Sequence, residues 1–244
     1  MCIILSCDSN HRPTASTIET CWRGNPDGAG YAYATGSEVV ISKGYMTLPD
    51  FKHALSHVPE DAPLILHFRI GTSGGYGPEV THPYPVTSDL TALHALDVEC
   101  PVAIAHNGIL PYDADDERGI SDTVAYVMRV VSRVARQRPV RDHGGLCKSS
   151  KARRALRRTS QGSRLALIDA AGHLLRIGDG WETVAPGIYA YNGSWRPYKS
   201  RYASLYGAFG YDDCDADYYE LPTYCYGCDA YDYCKEEGPF CENY

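Results

Sequence analysis

Cys2-Ile3-Ile4-Leu5-Ser6-Cys7 is an apolar run set between two thiols at the start of the chain. A continuous apolar stretch of this length, too short for a membrane span, reads as a strand. Outward from it, Tyr31-Ala32-Tyr33-Ala34 and Val39-Val40-Ile41 form a strand pair around Gly36. Leu64-Ile65-Leu66-His67-Phe68-Arg69 and Val102-Ala103-Ile104-Ala105-His106 are buried-strand patterns, the second ending in Asn107-Gly108. Further strands are expected at residues 164–169, 173–177 and 187–191.

Two helices separate these strands. Residues 48–58 carry Phe51, Ala54, Leu55 and Val58 at i, i+3, i+4 and i+7, one apolar stripe. Residues 123–134 place Val124, Val127, Val131 and Val134 on one face, with Ser121 or Asp122 available as a cap. Residues 138–161 are basic and weakly patterned. Strands, two helices and more strands predict an α+β layered domain over about residues 1–195.

Composition narrows the class. The chain has 244 residues, 44% hydrophobic and 22% charged, which is too apolar for a disordered polymer. No apolar run approaches the length of a membrane span, and the first residues lack a basic leader, so a soluble, cytoplasmic protein is expected. The net charge of −7 hides two opposed blocks. Residues 129–164 hold twelve Lys/Arg against Asp142 alone, and residues 212–242 hold ten Asp/Glu against Lys235 alone. The basic run Lys148–Arg158 reads first as a solvated helix face; beyond that, pairing between the blocks is favoured over nucleic acid as a partner, since groups on one chain meet at high effective concentration.

Four features carry chemistry. Cys2, freed of Met1, would bear an α-amine with a reference pKa of about 7.7–8.0, able to take the proton of its own thiol. By itself it is also simply a small residue after an initiator methionine. Asn107-Gly108 after an apolar strand supplies an amide and a backbone N–H for an oxyanion, although Asn-Gly is equally a hairpin turn. Arg69 at a strand end can grip a carboxylate as a fork or make a structural ion pair. Asp122 can hold an ammonium or cap a helix.

Their order along the chain is the informative part: Cys2, an Asp27-Gly28-Ala29-Gly30 turn, His67-Phe68-Arg69-Ile70-Gly71-Thr72, Thr81-His82-Pro83, His106-Asn107-Gly108, then Ser121-Asp122-Thr123. Over residues 2–195 this set resembles the class II glutamine amidotransferases, a branch of the N-terminal-nucleophile hydrolases. The resemblance implies a four-layer αββα sandwich. It implies that Cys2 is the nucleophile, and that Asn107 and Gly108 form the oxyanion hole, Gly108 also contacting bound glutamine. It implies that Arg69 binds the glutamine α-carboxylate with help from Thr72, that Asp122 receives the α-ammonium, and that His82 lies near the glutamine pocket. Asp27 and Gly28 fall in the turn beneath the nucleophile. Arg23 departs from the family's turn pattern by one residue and takes no role. No cofactor is required for this chemistry.

Residues 196–244 are too few for a synthetase, phosphosugar isomerase or phosphoribosyltransferase. Ammonia is therefore expected to pass to a separate synthase, or the site to hydrolyse a γ-glutamyl or other small amide for its own sake. A non-catalytic scaffold of the same fold is the remaining alternative. This tail is acidic and holds eleven of the chain's 20 tyrosines and five of its ten cysteines. Cys225, Cys228, Cys234 and Cys241 offer four thiolates to a structural zinc, with Cys214 as a substitute.

Overall fold

The computed structural model describes residues 2–71, 75, 77–115, 118–136 and 145–196. Thr72 and the cysteines of the tail, including Cys225, Cys228, Cys234 and Cys241, lie outside the described residues.

The fold is α+β, with two antiparallel sheets. Strands β1 (Ile3–Cys7), β2 (Ala29–Ala34), β3 (Val39–Tyr45), β4 (Leu64–Phe68), β6 (Asp97–Cys100), β10 (Trp181–Ala185) and β11 (Ile188–Tyr191) build the larger sheet. Its order is β10-β11-β1-β4-β2-β3-β6. Strands β5 (Tyr84–Pro85), β7 (Val102–Asn107), β8 (Arg164–Asp169) and β9 (Leu174–Ile177) form the smaller sheet in the order β5-β7-β8-β9.

Alternation along each strand sorts side chains into three cores. Ile3, Leu5 and Cys7 pack with Ile18 and Cys21 of α1 (Ala15–Gly24) and Phe51 of α2 (Leu48–Leu55). The other face of the same sheet turns Ile4, Ala32 and Ile65 toward Ala103, Ala105 and Ala166 of the smaller sheet. Alanine at these positions lets the two sheets approach closely. The far face of the smaller sheet buries Ile104, Leu165 and Leu167 beneath Val124, Val127, Val131, Ala152 and Leu156. The period-2 rule thus makes a single strand serve two layers.

Helices start where a short polar side chain can take an orphan N–H. The hydroxyls of Thr14, Thr47, Ser121 and Ser149 accept from the backbone N–H three residues on, opening α1, α2, α4 (Asp122–Tyr126) and α6 (Ser150–Thr159). Asp89 does the same for α3 (Leu90–His94), two residues on. The helix expected over residues 123–134 is present but interrupted: a π turn at Val127–Val131 links α4 to α5 (Ser132–Arg136). Of its apolar face, Val124, Val127 and Val131 are fully buried. No helix among the described residues is long and apolar enough to cross a membrane.

Candidate active site

Antiparallel pairing decides where Cys2 lies. β1 runs against β4 with Ile3 opposite Phe68, and against β11 with Ile4 opposite Tyr191. The start of β1 therefore meets the ends of β4 and β11, where Arg69-Ile70 and Asn192 follow. In the facing sheet β7 ends at Asn107. Four separate strand termini converge at this corner.

The half-buried Cys2 thiol lies 3.5 Å from the Ile70 N–H, which donates to Sγ, and 3.7 Å from the Ile70 carbonyl. The main-chain carbonyl of Cys2 accepts from the side-chain amide of Asn107 and from that of Asn192, the latter at 3.0 Å. Burial pushes the Cys2 thiol up from its ordinary pKa, opposed by the Ile70 N–H and the Arg69 charge.

Arg69 is buried, and its guanidinium donates to the Gly75 carbonyl at 2.8 Å. Its backbone is laced to the Asp27-Gly28 turn: Arg69 N–H donates to the Gly28 carbonyl, and Asp27 N–H to the Arg69 carbonyl. The Asp27 carboxylate then accepts from Gly71 N–H at 2.6 Å. This turn holds the segment that carries Arg69 and Ile70.

Asn107 is buried, and Gly108 follows at φ 133°, in the left-handed region where glycine is favoured. A Cβ there would lie 2.7 Å from Ser163 Oγ and 3.0 Å from Ser163 Cα. Ser163 Oγ donates to the Ile109 carbonyl at 2.9 Å, fixing the turn from behind. The Asp122 carboxylate accepts from Leu110 N–H at 2.8 Å and Thr123 N–H at 2.6 Å. Asp122 thereby ties the start of α4 to the Asn107-Gly108 turn, while the N-cap itself is Ser121.

His82 sits in a buried group that the sequence did not delineate. Its ring lies 4.3 Å from that of His67 and 4.7 Å from that of Tyr84, centroid to centroid. His106, the residue before Asn107, is 6.3 Å away. Among the described residues, both His82 nitrogens, His67 Nδ1 and His106 Nε2 are sealed from solvent without a hydrogen-bond partner. His67 Nε2 meets the His106 carbonyl at 3.2 Å, and His106 Nδ1 meets Thr123 Oγ1 at 2.7 Å. Burial lowers His67 to about 3 and His106 to about 4, the latter against the raising charge of Asp122, and places His82 well below its usual range. Two of these neutral rings are tied to candidate residues through the chain: His67 lies two residues before Arg69, and His106 directly before Asn107.

Lys43 joins the same group through Tyr84. It is buried, donates to the Glu79 and Leu93 carbonyls at 2.9 and 2.8 Å, and sits 3.9 Å over the Tyr84 ring. Burial pulls it down to about 7, opposed by Glu79. Tyr84 is fully buried, and burial pushes its phenol well above the ordinary range. The structure thus brings Cys2, Arg69, Asn107, Gly108 and Asp122 to one corner and sets His82 in the core below it. Asn192 and the His67/His106 pair were not read as site residues, although Asn192-Gly193 after an apolar strand repeats the Asn107-Gly108 signal.

The described cysteines, Cys2, Cys7, Cys21, Cys100 and Cys147, are all free thiols. No group of three metal-ligating side chains suited to a metal ion occurs among the described residues.

No protein-family model matches the chain, and no curated protein matches it. Among solved structures, a glutamine phosphoribosylpyrophosphate amidotransferase from B. subtilis complexed with ADP and GMP is similar, with 16% identity and a TM-score of 0.43. The match covers 78% of this chain and 41% of that one, so the chain spans less than half the length of that enzyme. The likeness is a distant one of fold, and no residue role is taken from it.

Proposed function

We propose that this protein is a glutaminase of the class II amidotransferase type, in a four-layer αββα sandwich of the N-terminal-nucleophile hydrolases. The observation that supports it is the corner itself: a thiol at the start of β1, beside a backbone N–H, with the Asn107 amide bonded to the carbonyl of the same residue.

The chemistry follows from the groups present. With Met1 removed, the α-amine of Cys2 takes the thiol proton. Sγ attacks the side-chain amide carbon of glutamine, and the carbonyl electron pair moves to oxygen. The second N–H of the Asn107 amide and the backbone N–H of Gly108 receive that oxyanion. Collapse expels ammonia, which leaves with the proton held by the amine, and a γ-glutamyl thioester remains on Cys2. Water hydrolyses it to glutamate and restores the thiol. Burial disfavours a free thiolate at Cys2, so proton transfer to the amine accompanies attack.

Arg69 holds the α-carboxylate and Asp122 the α-ammonium. Asp122 already accepts two backbone N–H groups and the Thr123 hydroxyl, and a carboxylate has about four lone-pair sites, so capacity for one bond from an ammonium remains. The ammonia released is then available to an acceptor. Replacing Cys2 by Ala abolishes ammonia release from glutamine while leaving the thermal midpoint near that of the wild type. Full activity in Cys2→Ala overturns the assignment.

A further inference from the structure

We infer that Asn192 is a positioning residue for Cys2: its side-chain amide, together with that of Asn107, pins the main-chain carbonyl of the nucleophile. Its consequence for turnover rests on the function proposed above; the pin itself rests on geometry alone.

A carbonyl oxygen has two lone pairs, and here two amide donors converge on one oxygen. They arrive from opposite sheets. Asn107 ends β7 of the smaller sheet, and Asn192 follows β11 of the larger one. Held between them, the Cys2 carbonyl fixes the plane of the Cys2–Ile3 peptide. That plane sets the direction in which Cys2 projects its thiol toward Ile70.

The support behind Asn192 is built rather than incidental. Asn192 has φ 82°, a left-handed conformation that glycine adopts at least cost. An asparagine there accepts strain that a glycine would avoid, and its amide is what the position gains. The preceding Tyr191 is held by the Arg164 guanidinium, 4.5 Å from the ring centroid, and by the Trp181 ring at 6.2 Å. β11 therefore delivers Asn192 from a fixed base.

If one of the two donors is lost, the Cys2 peptide can rotate about the other. The Asn107 amide then follows its acceptor, and the N–H assigned to the oxyanion moves with it. A displacement on the order of 1 Å at a reacting group costs roughly 100-fold in rate. A residue that only shaped the turn would behave differently, because glycine satisfies φ 82° better than asparagine does.

The test uses the full chain as wild type, Asn192→Gly and Asn192→Asp. Glycine keeps the turn and deletes the amide; aspartate keeps the size and presents an acceptor to the Cys2 carbonyl. Two readouts are taken: the exchange rate of the Ile3 amide proton by NMR, and kcat and KM for ammonia release from glutamine. The pin predicts, for Asn192→Gly, an unchanged or higher thermal midpoint, Ile3 exchange faster by about tenfold or more, kcat lower by about 10- to 100-fold and KM within about twofold. Asn192→Asp loses at least as much kcat. Unchanged Ile3 exchange in Asn192→Gly overturns the pin, and so does full turnover in that variant. If the wild type itself releases no ammonia, the proposed function fails, while the Ile3 exchange still decides the pin alone.

Discussion

The side-chain amide of Asn107 donates to the main-chain carbonyl of Cys2, so the end of a strand in one sheet grips the start of a strand in the other. The bond joins the two sheets at the corner where Arg69 and Asp122 also lie. It makes the orientation of the thiol depend on the packing between sheets.

Asn107→Ala tests that coupling. It removes the donor to Cys2 and the N–H assigned to the oxyanion. The expected loss in kcat is about 10²- to 10³-fold, the scale measured when one oxyanion donor is deleted. KM changes little, because the donor acts on charge that develops in the transition state. A large rise in KM with kcat retained would move Asn107 from oxyanion stabilisation to ground-state binding.

Gly108→Ala is expected to lower stability by about 1–3 kcal/mol through its backbone conformation alone. A methyl there also meets Ser163 Oγ at 2.7 Å and Ser163 Cα at 3.0 Å. Adding Ser163→Ala to Gly108→Ala relieves only the Oγ contact. Thermal melts of both single variants and the double variant check this: the double variant recovers a fraction of the loss and not the whole. Full recovery would mean that φ at position 108 carries no strain.

Arg69→Lys separates charge from geometry. Lysine keeps the cation but loses the planar fork that matches a carboxylate. The expected result is a KM for glutamine raised about tenfold or more, with a smaller change in kcat. Glutamine analogues lacking the α-carboxylate should lose the difference between the two enzymes. An equal effect on such analogues would place Arg69 in holding Gly75, through its bond to that carbonyl, and not in binding substrate.

The pH dependence of stability has three parts. Unfolded histidines take protons near pH 6.5, whereas buried His67 and His106 resist until about 3 and 4. The unfolded chain therefore binds more protons below about pH 6.5, and stability falls as pH falls from there toward 4, by up to about 1.4 kcal/mol per pH unit for each ring. Lys43, lowered to about 7, acts the same way between 7 and its ordinary 10.5, so stability gains as pH rises through that range. Cys7, Cys21 and Cys100 are raised to about 12 from 9.0, and they reverse the trend above pH 9 because only the unfolded chain loses those protons. Thermal midpoints between pH 4 and 10.5 should peak between about 7 and 9. Replacing His67 by Phe or Asn should flatten the acid limb; an unchanged limb would show that carboxylates, not these rings, govern it.

Much of the fold was legible because the central strands are apolar throughout. β1, β4, β7 and β8 announce themselves by runs such as Ile3-Ile4-Leu5 and Leu64-Ile65-Leu66. β6 and β10 were not read, for a physical reason: they are the edges of the larger sheet and keep most side chains partly or fully exposed. α1 escaped because Ile18 and Cys21 are its only buried residues, too narrow a stripe to register. α6 likewise buries only Ala152 and Leu156 beneath a basic surface. Of the candidate residues, Arg69, Asn107 and Asp122 could be singled out because a motif names them, and the fold sets them near the start of β1 and the end of β7. Asn192, His67 and His106 are placed by registers between strands, and no local spacing encodes that.

The most direct measurement is covalent trapping of the full chain with the glutamine-like electrophile 6-diazo-5-oxonorleucine, followed by mass mapping of every cysteine. One adduct is expected, on Cys2 of a chain whose Met1 has been removed, formed faster than with iodoacetamide and blocked by excess glutamine. An adduct spread over the other thiols, or none at Cys2 while glutamine is still hydrolysed, would contradict it.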